Sequence, residues 1–138
     1  MQARVFVVDT NVIVAGLLTR EPDSPTARVL DGMVAASLPF LLSTALLAEY
    51  REVLLRSRIH SRHGLDEDEV DSLLTELVAN AIIRGPEPST ESAPSREDQH
   101  LWDLLATERG TVLITGDQTT LDRPPGGASV ISPAGFCR

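Results

Sequence analysis

Apolar and polar positions alternate between two rhythms along the chain. Near-continuous apolar runs occur at about residues 4–8, Leu38–Leu42, Ala81–Arg84, Thr111–Thr115 and Ala128–Ile131, the lengths and β-branched content of strands. Between them, large apolar residues recur every three or four positions. Val12–Leu18 predicts a short helix that Gly16 weakens. Ser24-Pro25 reads as an N-cap with proline at the first helical position, opening a helix to about Ala36. Pro39 fits only an edge or the first position of its strand. Ser43 caps a third helix with the stripe Leu46, Leu47, Tyr50, Val53 and Leu54. A fourth, Asp66 to Asn80, turns Val70, Leu73, Leu74, Leu77 and Val78 inward, with Asp66, Glu67, Asp68 and Glu69 crowding its first turn, where acids favour the dipole. Gly85 to Pro94 is a Pro- and Ser-rich loop. Ser95 with Asp98 three residues later opens a helix carrying Leu101, Trp102, Leu104 and Leu105, which Gly110 closes as a C-terminal cap.

Strands alternating with helices predict an α/β domain with a largely parallel sheet, whose strands are apolar on both faces because helices cover both. With 138 residues and 42% hydrophobic content, the chain builds one good core, so residues 1–138 are read as a single domain. Cys137 is the only cysteine, which excludes an intrachain disulfide and a thiolate metal site and fits a reducing compartment. No basic, apolar leader and no bilayer-length apolar run is present, so the expectation is a cytoplasmic protein with no membrane partner. A net charge of −8 argues against gripping nucleic acid by charge alone, but leaves open a nuclease whose acids are neutralised by metal. All 12 basic residues are arginines, and without lysine there is no Schiff base, phosphate-loop lysine or lysine base.

Four carboxylates stand where strands give way to helices. Asp9 and Asp117 follow strand ends directly, Glu49 lies in the second turn of the helix capped by Ser43, and Asp98 lies in the first turn of another. Ligands of open parallel sheets bind beyond the carboxyl ends of the strands, so all four acids are candidates for one pocket. Carboxylates brought close repel one another and take up protons unless a cation compensates, and hard oxygen donors suit Mg²⁺ or Mn²⁺. Phosphodiester hydrolysis is the natural reaction of such a site. Asn11 and Thr115, two residues from Asp9 and Asp117 respectively, are candidates either for holding a metal-bound water or for orienting the neighbouring acid. Taken singly each acid has a plainer explanation: a strand-end turn at Asp9, a solvent-facing Glu49, a helix-start acid at Asp98 and a turn aspartate at Asp117. The set and its placement carry the inference. Asp103 points away from Asp98 around its helix and is left out, while Asp122 is a weak additional candidate.

Val7-Val8-Asp9-Thr10-Asn11-Val12, Ala48-Glu49-Tyr50-Arg51-Glu52-Val53-Leu54, Glu97-Asp98-Gln99-His100 and Leu113-Ile114-Thr115-Gly116-Asp117, in this order, resemble the motifs of the PIN domain (PilT N-terminus) nucleases, and in particular the VapC-like toxins of toxin–antitoxin pairs. Val130-Ile131-Ser132-Pro133 with Phe136 resembles the family's ending. The resemblance implies a Rossmann-like three-layer α/β/α domain, a Mg²⁺- or Mn²⁺-dependent ribonuclease, a cognate antitoxin partner and a homodimer. It carries the family's acids to Asp9, Glu49, Asp98 and Asp117 and its polar helper to Asn11; Glu97 remains an alternative to Asp98 as the third acid.

Arg51, Arg56, Arg58, His60, Arg62 and His63 form one dense basic stretch after Glu49. Its four arginines are candidates for binding the RNA backbone, with a solvated helix end as the equal alternative. Neither histidine is expected to bind metal, and Trp102 is expected in the core. Haloacid-dehalogenase-like phosphatases and phosphorylatable receiver domains also begin with an acid after a strand, but both normally need a lysine that this chain lacks, and the former wants a second aspartate where Asn11 stands. The remaining alternatives are a non-catalytic or regulatory binding module of the same fold and a housekeeping RNA-processing nuclease.

Overall fold

A computed structural model describes residues 4–85, 98–124 and 129–138. The described elements alternate in the order β1 (Phe6–Val8), α1 (Thr10–Leu18), α2 (Pro25–Val34), β2 (Leu41–Leu42), α3 (Thr44–Leu54), α4 (Ser57–His63), α5 (Glu67–Asn80), β3 (Ile82–Ile83), α6 (Gln99–Leu105), β4 (Val112–Ile114), α7 (Gln118–Asp122), β5 (Ser129–Ile131) and α8 (Pro133–Phe136). Ser95, Arg96, Glu97, Ala128 and the predicted loop from residue 86 to 94 lie outside the described residues.

Among the described residues every strand pairing is parallel. β4 lies between β1 and β5, with Val8 opposite Ile114 and Ile114 opposite Ile131, while β2 pairs with β3. A parallel bridge from Phe6 to Phe40, with the Phe6 amide donating to the Pro39 carbonyl at 3.0 Å, joins the two sets. The resulting order β3-β2-β1-β4-β5 is that of a doubly wound three-layer α/β/α domain, in which the chain reverses direction between β1 and β4. Pro39, lacking an N–H, stands just before β2 and contributes only its carbonyl.

Val7, Val8, Leu113 and Ile114 are wholly buried, as strands covered on both faces must be. Tyr50 is also fully buried on α3 and donates its hydroxyl hydrogen bond to the Val8 carbonyl, tying that helix to the end of β1. Gly16 lets α2 cross close to α1: a Cβ there would stand 2.9 Å from the Thr26 carbonyl oxygen and 3.1 Å from Leu30 Cβ. The predicted weakness in α1 is therefore a packing contact.

Ser24 and Ser43 cap α2 and α3, and Asp66 with Glu69 forms a capping box on α5. The structure corrects four points. α1 begins at Thr10, with Asp9 as its cap, rather than after Asn11. Asp98 is the N-cap of α6, one residue outside its first turn. α6 ends at Leu105, where Ala106 and Thr107 turn back onto carbonyls of the last turn, so Gly110 is not its cap; its φ of 78° serves the turn into β4. Val78, expected inside, is 36% exposed at the edge of α5's apolar face. Short helices α4, α7 and α8 were not anticipated; α8 carries the same Ser-Pro start as α2 at Ser132-Pro133. Among the described residues no helix is long and apolar enough to cross a membrane.

Candidate active site

At the reversal between β1 and β4 the two strands end side by side, and the Asp9 amide donates to the Ile114 carbonyl at 2.9 Å. The residues that follow knit the two strand ends together. Asp9 Oδ1 accepts the Thr10 amide at 2.8 Å, capping α1, and Asp9 Oδ2 accepts the Thr115 hydroxyl at 2.8 Å. The Asn11 amide nitrogen lies 3.4 Å from both Asp9 Oδ2 and Thr115 Oγ1, and its oxygen accepts the Gly116 amide at 3.0 Å. Thr115 Oγ1 also accepts the Asp117 amide at 3.0 Å. Asn11 and Thr115 thus both act on Asp9, and both fix the turn that carries Asp117.

Asp117 caps α7 by accepting the Thr119 amide at 3.3 Å and takes the Thr120 hydroxyl at 2.7 Å. Glu49 projects from the second turn of α3 between two donors: the Thr10 hydroxyl on Oε2 and His100 Nε2 on Oε1 at 3.2 Å. Asp98 makes no side-chain cap hydrogen bond to α6. Asp9, Glu49, Asp98 and Asp117 all line one cleft of about 820 Å³, bounded also by Thr10, Asn11, Val14, Leu18, Val53 and Arg62. The inner pair, Asp9 and Glu49, is half-buried, whereas Asp98 and Asp117 are exposed at the mouth.

The inner acids are tuned in opposite directions. Burial raises the Asp9 pKa; the bonds from Thr115 and Thr10 oppose this, and the charges of Glu49 and Asp98 add to it. The hydrogen bond from His100 lowers the Glu49 pKa despite burial, and the same contact raises that of His100. Among the described residues no three acid, histidine or cysteine side chains converge tightly enough to hold a cation as they stand. The donor set nevertheless fits a divalent cation in kind and in sign: every acid offers hard oxygen, and the ionised form of Asp9, disfavoured by burial and by two neighbouring carboxylates, is the form a cation would favour.

Of the four candidate arginines only Arg62 lines the cleft. Arg51 turns to α5, where Nε reaches Asp71 at 2.8 Å and Nη2 reaches Glu67 at 2.7 Å. Arg56 pairs with Glu52 at 3.4 Å one turn back, and Arg58 is exposed on α4 outside the cleft. His63 is occupied structurally: Nε2 lies 2.8 Å from the Leu54 carbonyl oxygen and Nδ1 accepts the Leu65 amide at 3.0 Å. Trp102 is buried in the core. Asp122 is bonded to Gln118 on α7 and does not line the cleft. Sequence reasoning missed Thr10 and His100; the one available signal was an imidazole two residues after Asp98 at the start of the same helix.

An acid-lined cleft at the reversal point of a parallel sheet defines a class of α/β domains suited to phosphate chemistry. The family model of the PIN domain matches residues 5–119, and the chain belongs to that family. PIN domains are generally nucleases, so this is a nuclease fold. The crystal structure of VapBC2 from Rickettsia felis, bound to a DNA fragment from its promoter, is similar over 93% of this chain and 98% of that one, with a TM-score of 0.56 and 14% identity. The PIN domain of T. brucei RRP44 aligns over 99% of this chain and 80% of that one, with a TM-score of 0.49 and 12% identity. No curated protein matches the chain.

Proposed function

We propose that this protein is a Mg²⁺- or Mn²⁺-dependent ribonuclease and the toxin of a toxin–antitoxin pair, acting in the cytoplasm. The observation that carries the reading is the gathering of Asp9, Glu49, Asp98 and Asp117 around one cleft at the sheet's reversal point. These four acids would hold the metal, and the chemistry supplied there is Lewis acidity toward water and phosphate oxygens.

The chain's own residues do the rest. Thr115 and the Thr10 amide fix the orientation of Asp9, so no carboxylate rotation is needed at the moment of reaction. Arg62 stands at the cleft to meet the non-bridging oxygens of the phosphate, its guanidinium matching their geometry. Val14, Leu18 and Val53 add apolar surface to the same cleft, suited to receive an unstacked base. That combination favours single-stranded over duplex RNA.

The VapBC2 likeness supports the toxin reading at the level of fold. Between α3 and α5 a groove lined by Leu47, Leu74 and the exposed Val78 leaves apolar surface that favours pairing of two copies.

The test is cleavage of a pool of unstructured RNA by purified protein with Mn²⁺. Wild type is expected to cleave, and Asp9→Asn and Asp117→Asn are not. Cleavage by both variants at the wild-type rate would remove the acids from the mechanism. Induction in a bacterial host is expected to arrest growth and Asp9→Ala to relieve the arrest; growth unaffected by the wild-type chain, with cleavage intact in vitro, would leave the nuclease and remove the toxin.

A further inference from the structure

Among the described residues the His100 imidazole has one hydrogen-bond partner, Glu49. Its Nε2 lies 3.2 Å from Glu49 Oε1, while Nδ1 is buried without a hydrogen-bond partner. Glu49, acceptor-only when ionised, accepts the hydrogen bond from Nε2–H, and Nδ1 meets no donor or acceptor whichever proton it carries. A buried polar atom without a partner costs free energy, and an apolar side chain of similar size would avoid that cost. His63 shows the contrast, since both of its ring nitrogens are satisfied by backbone groups. A histidine placed for packing or for helix geometry resembles His63. His100 instead has a single bond, and it ends on an acid of the cleft.

The opposite oxygen of the same carboxylate is held too. Thr10 donates its hydroxyl to Glu49 Oε2, and the Thr10 backbone amide caps Asp9. Glu49 is therefore gripped at both oxygens, by one donor from α1 and one from α6, on side chains that are 31% exposed for Glu49 and 25% for His100. A glutamate has three side-chain torsions to fix, and two donors at its two oxygens fix its plane. Each oxygen still has a lone pair directed elsewhere.

We infer that His100 is a positioning residue that, with Thr10, holds the Glu49 carboxylate in the plane from which it binds the divalent cation. The inference rests on the proposed metal-dependent reading and adds to it the part of α6 that follows Asp98. It makes α6 contribute twice to the cleft: Asp98 lines it directly, and His100 acts through Glu49.

Calorimetric or paramagnetic titration with Mn²⁺ alone, without RNA, tests this. His100→Leu removes the donor and also the unpartnered nitrogen, so its melting temperature is expected to be no lower than that of wild type. Its Mn²⁺ dissociation constant is expected to rise about tenfold, the scale on which partners of a metal ligand act. His100→Gln, whose amide can donate to the same oxygen, is expected to recover most of the loss, and Thr10→Val to weaken Mn²⁺ as His100→Leu does. If wild type binds Mn²⁺ and His100→Leu binds it equally well, the positioning role is wrong and the metal site stands. Loss in both His100→Leu and His100→Gln, with lowered melting temperatures, would mark a structural residue and overturn the inference. Failure of wild type to bind Mn²⁺ at all would bring down the metal reading itself, a result no His100 variant can imitate.

Discussion

Two groups of carboxylates, one in the cleft and one at the start of α5, use the same residue types to opposite ends. Asp66, Glu67, Asp68 and Glu69 are all exposed; Asp66 and Glu69 close a capping box, and Glu67 joins Asp71 on the Arg51 guanidinium. Their charge is balanced by backbone amides, an arginine and water, and Asp71 is correspondingly lowered in pKa by Arg51. In the cleft, Asp9 is half-buried, raised in pKa, and pressed by the charges of Glu49 and Asp98. The difference lies in the partner the fold supplies: at α5 Glu67 and Asp71 share an arginine, whereas in the cleft Glu49 has the His100 imidazole and Asp9 has only neutral hydroxyl and amide donors against burial and neighbouring charge.

The largest effects should come from the cleft. Asp9→Asn or Asp117→Asn is expected to lower Mn²⁺-supported RNA cleavage by on the order of a hundredfold or more, as loss of one transition-state charge partner does elsewhere. The double substitution Glu67→Gln, Asp71→Asn should leave cleavage unchanged, and an equal loss in both would erase the distinction. Next is Arg62→Ala, expected to raise KM several-fold and to reduce the salt slope of RNA binding by about 1, with kcat little altered. Arg51→Ala, facing α5, is expected to move neither.

A third outcome concerns pH. The fold raises the Asp9 pKa, so its ionised form is harder to hold in the folded chain than in the unfolded one. The resulting penalty is absent below the unfolded pKa and complete above the folded one. In metal-free protein, Asp9→Asn should accordingly melt higher than wild type at neutral pH, and the difference should fade as pH falls toward about 4. A variant that melts lower at neutral pH would show that the bonds from Thr115 and Thr10 outweigh burial. Smallest is Asp66→Ala, which removes the side-chain half of the capping box at a cost of about 1 kcal/mol in denaturant unfolding and leaves cleavage intact.

Much of the frame could be read along the chain because the interactions that form it are local. Ser24-Pro25, Ser43 and Asp66 with Glu69 act within one turn of their helices, and the apolar runs at Phe6–Val8 and Val112–Ile114 are continuous because both faces are covered. The helices that escaped notice are short: α4, α7 and α8 span seven, five and four residues, too few for an apolar period to register. Gly110 misled for a related reason, since a glycine with positive φ serves a helix end and a strand-entry turn equally well.

For the candidate site, order along the chain was enough to anticipate that Asp9, Glu49, Asp98 and Asp117 line one cleft: Asp9 and Asp117 stand just past strand ends, and Glu49 and Asp98 lie early on helices that start at the same edge. Which arginine faces them was not legible. Arg51 and Arg62 lie in one basic stretch, but the rotation of α3 against α5 gives the first to Asp71 and Glu67, and the turn into α4 brings the second to the cleft. Glu49's two donors come from positions 39 residues before it and 51 after it, a separation that no local pattern encodes. The amino-acid order by itself determined the strands, the longer helices and the acids placed near their ends, since these follow from caps within one turn and from continuous or periodic apolar runs. Packing between distant elements decided the charge environment of each acid, because burial and opposing charge exist only once the layers have closed.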